Sequence, residues 1–230
     1  MSRRADLVEL LSGKTSILLD FDGPVCSIFS NHPAPDVAAS LRAVLTAAGV
    51  PVPPNLETER DPLEVLKWSA TLGRPALVRE VESRLCAEEI TAARTAVPTP
   101  FGRESIIGAL EAGKSVAIVS NNSAGAINTY QARQRLTRYK LPISGRVYAR
   151  PDLMKPNPQP ILAAAKLAGA SPADCVLIGD SMADIDGAHA AGVSVIGYAN
   201  RPEKVDRFAH ADVVITSMIE VANALVELRV

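Results

Sequence analysis

Several things are scarce in these 230 residues, and each scarcity removes a class of protein. Cysteine occurs three times (Cys26, Cys86, Cys175), an odd number with wide spacing and no CxxC pair. The reading is free thiols in a reducing compartment rather than a disulfide framework. Neither sign of charge prevails, with 24 Lys+Arg against 25 Asp+Glu and a formal net charge of −1. No basic run is present, so the clustered positive patch that nucleic acid demands is missing. No apolar run approaches the ~20 residues of a membrane span. The first such run, Ile17-Leu18-Leu19, is cut by Asp20 and Asp22 and cannot serve as a signal-peptide core, so a cytoplasmic protein is expected. The acceptor pattern Asn121-Asn122-Ser123 therefore carries no glycosylation reading. GxGxxG is absent as well, which leaves a dinucleotide fingerprint unsupported.

Apolar residues are plentiful at 47%, ample for a core, and the length suits one large domain or one domain carrying a smaller one. Short β-branched runs alternate with helical patterns. The runs are Ser16–Leu19, Ser115–Val119, Val147–Ala149, Cys175–Ile178, Val193–Ile196 and Val213–Ile215. They are continuously apolar, as parallel strands covered on both faces are. Helical stretches fall at about Glu104–Ala112, Ala124–Leu136, Pro158–Leu167, Asp184–Ala191 and Ser217–Leu228. Strand followed by helix, repeated, predicts right-handed crossovers and an α/β doubly wound parallel sheet.

Residues 25–100 break the alternation, with no strand pattern. Asp36–Ala48 sets Val37, Leu41, Val44 and Ala48 on one face and stops at Gly49. A linker with Pro51, Pro53 and Pro54 follows. Asp61-Pro62-Leu63-Glu64 reads as an N-cap, a first-turn proline and a reciprocal glutamate. A further helix, about Pro75–Ala96, carries Leu77, Val78, Val81, Leu85 and Ile90, and Pro98 and Pro100 bracket its exit. The expected organisation is an α/β core of residues 1–24 and 101–230, with an inserted helical domain at 25–100.

Ligands on open parallel sheets bind beyond the carboxyl ends of the strands, so the residues just after each strand carry the information. After the first strand stand Asp20-Phe21-Asp22-Gly23, and after the second Ser120-Asn121-Asn122. Lys155-Pro156-Asn157-Pro158 lies in the loop before the Cys175 strand. Gly179-Asp180-Ser181 follows that strand, with Asp184 one helical turn on. Crowded carboxylates repel unless a cation sits among them, and all-oxygen ligation favours a hard ion such as Mg²⁺. A hydroxyl and an ammonium suit phosphate oxygens. One aspartate is a competent nucleophile toward phosphorus, and a second two residues away can protonate a leaving oxygen.

Asp-x-Asp-Gly, a strand-terminal Ser, Lys-Pro-x-Pro and Gly-Asp-Ser-x-x-x-Asp, in that order, resemble the haloacid dehalogenase superfamily. The subgroup is the one with a helical cap between the first and second motifs, and the likeness spans about residues 15–228. The resemblance implies Asp20 as nucleophile and Asp22 as general acid/base, with Ser120, Asn121 (through its backbone amide) and Lys155 holding the phosphoryl group. It implies Mg²⁺ on the side chains of Asp20 and Asp180 and the backbone carbonyl of Asp22, with Asp184 supporting that shell. The implied activity is an Mg²⁺-dependent phosphatase acting on a small phosphorylated metabolite through an aspartyl-phosphate. Neither nucleic acid nor membrane is an expected partner, and the chain is expected to be a monomer or weak homodimer. One departure is Pro24, where the family often has Thr; the change stiffens the exit into the inserted domain.

Other residues have plainer readings. Asp186 and His189 read as exposed or structural, His32 as a loop residue near the entrance to the insertion, and Trp68 as core of the insertion. Arg60 and Lys67 are candidate contacts to a substrate anion. Gly108–Ser115 matches the P-loop pattern letter for letter, but a helix precedes it and a strand follows, the reverse of the order that aims amides at phosphate. Rivals on the same fold are a phosphomutase, a phosphonatase (which would need Lys67) and a dehalogenase, against which Asp22 argues. Outside that fold stand a P-loop ATPase dependent on Lys114 and a non-catalytic binding module.

Overall fold

The computed structural model of the chain describes residues 3–229. The strands are β1 (Ser16–Asp20), β2 (Cys26–Ser27), β3 (Val97–Pro98), β4 (Ser115–Val119), β5 (Ile143–Ser144), β6 (Cys175–Gly179), β7 (Ser194–Tyr198) and β8 (Val213–Ile215). The helices up to the second half of the chain are α1 (Arg3–Ser12), α2 (Ala34–Ala47), α3 (Pro54–Glu57), α4 (Pro62–Thr71), α5 (Pro75–Ala93) and α6 (Gly102–Glu111). After them come α7 (Ala124–Arg133), α8 (Gln159–Leu167), α9 (Met182–Ala191), α10 (Glu203–Arg207) and α11 (Met218–Glu227).

Six strands form one parallel sheet in the order β5-β4-β1-β6-β7-β8. The chain leaves β1 toward one edge through β4 and β5, then returns to build the other side through β6, β7 and β8. That reversal beside β1 opens a crevice at the carboxyl ends of β1, β4 and β6. Strand residues alternate between two apolar layers. Ile17, Leu19, Val116, Ile118, Val176 and Ile178 pack on the side of α1, α6, α7 and α11. Leu18, Ala117, Val119, Cys175 and Leu177 pack on the side of α8 and α9. Burial on both faces explains why these strands read as unbroken apolar runs.

Between β1 and β4 the chain makes helices α2 to α5, whose apolar faces form a third cluster around Val37, Leu41, Leu45, Val65, Leu66 and Leu85. The α2 stripe is turned slightly from the expected one: Ala38 and Leu45 are buried, whereas Val44 and Ala48 sit at its margin. Asp61 caps α4 by accepting from the Leu63 N–H at 2.8 Å. Glu64 does not reciprocate, because it pairs with Lys67 at 2.7 Å while Glu59 takes the Asp61 N–H. The expected linker of prolines contains the short helix α3. The two chain passages into and out of the insertion pair as the antiparallel ribbon β2–β3, which no alternation in the sequence announced.

One expected strand is absent. Val147–Ala149 is a loop, with Val147 and Tyr148 about half exposed, and the edge strand is β5, pairing with Ile118 and Val119. The loop is drawn off the sheet toward α5, where the Tyr148 hydroxyl meets the Ser83 hydroxyl at 2.7 Å and donates to the Arg79 carbonyl at 2.9 Å. Leu41 is fully buried in the third cluster. Leu41→Ala is expected to lower stability by about 2–5 kcal/mol. Urea unfolding checks this, and an unchanged midpoint would show that the cluster is loosely packed.

Candidate active site

The end of β1 places Asp20 at the floor of a cleft of about 670 Å³, with Asp22, Ser120, Asn121, Lys155 and Asp180 around it. Asp20 is buried, and its Oδ1 accepts from the Phe21 N–H at 2.7 Å and from Lys155 Nζ at 2.9 Å. Lys155 Nζ also reaches Asp184 Oδ1 at 2.5 Å and the Val119 carbonyl at 3.4 Å. Three of the motif residues, Asp20, Lys155 and Asp184, thus meet within one hydrogen-bonded group, delivered by β1, the loop before α8, and α9.

Local sequence accounts for each placement. Ser181 and Asp184 form a capping box at the start of α9, with Asp184 Oδ2 accepting from the Ser181 hydroxyl at 2.6 Å and from its N–H at 3.1 Å. This leaves Asp184 Oδ1 for Lys155. The Asn121 side chain holds the Lys155 backbone on both sides, donating to its carbonyl at 3.1 Å and accepting from its N–H at 2.9 Å. The Ser120 hydroxyl accepts from the Asn122 N–H at 3.1 Å. Two glycines let the acids close in. A Cβ on Gly179 would stand 2.4 Å from Asp184 Cγ, and one on Gly23, whose φ is +114°, 2.4 Å from Asp180 Cγ.

Carboxylate oxygens of Asp20, Asp180 and Asp184 lie within 4.8 Å of one another. Three oxygen donors at that spacing suit a hard divalent cation, and the electrostatics agree. Burial pushes the Asp20 carboxyl well above its ordinary range; the Asp184 charge adds to this, and Lys155 offsets it only in part. A cation among these oxygens would favour the ionised form. The donor set therefore fits Mg²⁺. Asp184 contributes an oxygen to the cluster itself, whereas the Asp22 side chain turns aside to accept from the Ile28 N–H at 2.9 Å. Asp180 is held by Asn200 at 3.0 Å and by Lys204 Nζ at 2.6 Å. Burial works against the Lys155 ammonium, but the adjoining Asp184 and Asp20 charges more than offset this and keep it protonated.

The remaining candidates fall outside the chemistry. His32 pairs with Glu88 at 2.7 Å, and Trp68 packs at the edge of the third cluster. Asp186 and His189 are exposed. Lys67 is engaged by Glu64. Arg60, by contrast, lines the cleft, as does Arg201 from the loop after β7. The P-loop look-alike runs from α6 into β4, and Lys114 Nζ donates to the carbonyls of Leu11 and Lys14 at 2.8 and 2.6 Å.

Sequence reasoning did not find Arg146, Glu82 or Glu89. The Arg146 guanidinium is fully buried between the two carboxylates of α5, at 2.8 Å from Glu82 and 2.7 Å from Glu89. A signal existed: Glu82 and Glu89 stand on the same apolar stripe of α5 as Val78, Val81 and Leu85, and buried carboxylates require a partner. Lys204 and Asn200 were also missed, although they follow a strand end.

Residues 15–192 match the family described as haloacid dehalogenase-like hydrolases. Over 206 residues the chain is 31% identical to a phosphoglycolate phosphatase of Xylella fastidiosa (strain 9a5c), covering 82% of this chain and 83% of the relative. A hydrolase from Pseudomonas syringae has the same fold, with a TM-score of 0.69 at 20% identity over 93% of this chain and 99% of that one. So does CbbY from Rhodobacter sphaeroides, solved in complex with phosphate, at a TM-score of 0.66 and 17% identity over 90% and 96%.

Two measurements probe the geometry. Gly179→Ala is expected to cost about 1–3 kcal/mol by urea unfolding, because fully buried Asp184 has no room to retreat. An unaltered midpoint would mean that Asp184 is not fixed. Asp22 is raised from 3.8 to about 6, chiefly by burial and further by Asp180, against the opposing Ile28 hydrogen bond. The folded form therefore binds this proton more tightly than the unfolded chain. The resulting stability is complete below pH ~4 and is lost as pH rises through ~6. In EDTA, Asp22→Asn should gain on the native protein between pH 4 and pH 8, by up to ~3 kcal/mol. A difference that does not vary with pH would refute the raised value. By family match and fold, the chain belongs to the haloacid dehalogenase-like hydrolases.

Proposed function

We propose that the chain is an Mg²⁺-dependent phosphatase that hydrolyses a small phosphorylated metabolite through an aspartyl-phosphate on Asp20. The carrying observation is the buried Asp20–Lys155 contact of 2.9 Å at the floor of the cleft. Oδ1 is occupied by the Phe21 N–H and Lys155, which leaves Oδ2 to attack phosphorus. As the Oδ2–P bond forms, the bond to the leaving oxygen breaks, and Asp22 donates its proton to that oxygen. Water then attacks the phosphorus of the acyl phosphate. Asp22 accepts the water's proton, and Asp20 is released with inorganic phosphate. Asp22 is suited to both tasks because its pKa of about 6 lets it exist in either form near neutrality.

Ser120, the Asn121 amide and Lys155 bind the phosphoryl oxygens, with Lys155 offsetting charge as it builds on the transferring group. Mg²⁺ would be held by the side chains of Asp20 and Asp180 and the backbone carbonyl of Asp22, with Asp184 in support. When bound, it supplies charge neutralisation to the phosphoryl group and orients it. Residues 25–100 act as a cap over an α/β core of residues 1–24 and 101–230. Phe29, Arg60 and Leu63 already face the cleft from that side, where they would exclude water and contact the substrate. The Xylella relative makes phosphoglycolate the first substrate to test.

Hydrolysis of an aryl phosphate and of phosphoglycolate should require Mg²⁺ and vanish with EDTA. Asp20→Asn should abolish turnover, and Asp22→Asn should lower kcat by about 10²–10⁴-fold. Phosphate release by Asp20→Asn at the native rate would remove the nucleophile from the mechanism.

A further inference from the structure

The Ser120–Ser123 loop is held from behind by Glu89 of the helical insertion and by Arg146, which follows β5. Glu89 of α5 accepts from Asn122 Nδ2 at 3.2 Å and from the Ser123 N–H at 2.9 Å. Arg146 grips the same Glu89 through both terminal nitrogens, at 2.7 and 3.1 Å. It also donates to the Asn121 carbonyl at 2.5 Å, and its backbone N–H donates to the Asn122 carbonyl at 2.9 Å. Glu82 closes the fork by accepting from Nε at 2.8 Å. All three charged side chains are essentially excluded from solvent.

Such a triad is a poor source of stability, since the cost of desolvating three charges cancels much of their attraction. Glu82 Oε2 is moreover buried without a hydrogen-bond partner among the described residues. What the triad does achieve is orientation. With the Asn121 and Asn122 carbonyls drawn back toward Arg146, the Asn121 N–H finds no acceptor among the described residues, in a residue that lines the cleft. The Asn121 side chain in turn clamps the Lys155 backbone. Gly145 lets the chain pass close enough, because a Cβ there would lie 2.8 Å from the Ala124 backbone nitrogen.

We propose that Arg146, anchored by Glu82 and Glu89 of α5, is a positioning residue for phosphoryl transfer, fixing the Ser120–Asn121 loop and through it Lys155. The inference rests on the phosphoryl-binding role assigned above to Ser120, Asn121 and Lys155. It makes the phosphate loop dependent on the insertion, so α5 remains docked on the core during the cycle and cap movement is left to the rest of the insertion.

Arg146→Lys and Glu89→Gln test it in the full-length, Mg²⁺-loaded enzyme, with Leu41→Ala as a destabilised control that touches neither fork nor loop. Steady-state hydrolysis of an aryl phosphate, inhibition by inorganic phosphate and thermal melting are measured on each. Misplacing the loop by about an ångström should lower kcat/KM by about 10²-fold in the two fork variants and weaken phosphate inhibition in parallel. Leu41→Ala should melt earlier yet keep native kinetics below its melting temperature. Fork variants that melt earlier but keep native kinetics below their melting temperatures, as the control does, would overturn the proposal. An inactive native enzyme would defeat the phosphatase reading itself. Native activity with fully active fork variants would defeat only the positioning role.

Discussion

Everything in the crevice is arranged around one electrostatic difficulty: three carboxylates, one at the end of β1 and two on the turn and helix after β6, approach within 4.8 Å of each other in a partly dry site. Two unit charges at that range repel by on the order of 3 kcal/mol at an effective dielectric of ~20. The fold does not disperse them. It supplies Lys155 between Asp20 and Asp184, Lys204 behind Asp180, and a capping box that absorbs the second oxygen of Asp184. Asp20 bears what is left: burial first, and the Asp184 charge second, push its carboxyl well up. Under the proposed reading, a cation would relieve the charge that this arrangement leaves on the carboxylates.

Backbone features of no chemical reactivity make this crowding possible. Gly179 and Gly23 vacate the volume that the Asp184 and Asp180 carboxyls occupy. The reversal of strand order beside β1 brings the ends of β1, β4 and β6 to one edge. The same topology sends the long β1–β4 connection over that edge, so helices that build their own apolar cluster also wall the cleft. Pro24 fits this arrangement: its carbonyl packs where a Cβ on Gly102 would come within 2.5 Å, tying the entry and exit of the insertion together.

The buried Arg146 fork adds a second layer of polar construction behind the first. It joins an insertion helix to the loop after β4 by charge-assisted hydrogen bonds, beside the apolar contact that Ala92 and Ala93 of the same helix make with the first cluster. Geometric specificity is what such a bidentate guanidinium contributes best. An interface of packed leucines could also hold α5 to the core but would leave the Asn121 carbonyl without its guanidinium donor.

By itself the order of residues determined the parallel sheet, the helical insertion and the identity of the acids at Asp20, Asp22, Asp180 and Asp184. Those signals are local: an apolar run covered on both faces, or a motif closing a strand, is legible within ten residues of chain. Only the tertiary structure decided that Val147–Ala149 would leave the sheet for α5 and that two residues at each neck of the insertion would pair. It alone decided that Asp184 would stand with Asp20 while the Asp22 side chain turned to Ile28, and that Glu82 and Glu89 would be answered by Arg146 some sixty positions away. These outcomes depend on which distant group satisfies a buried charge or a bare strand edge. That choice is made by packing, and no local pattern carries it.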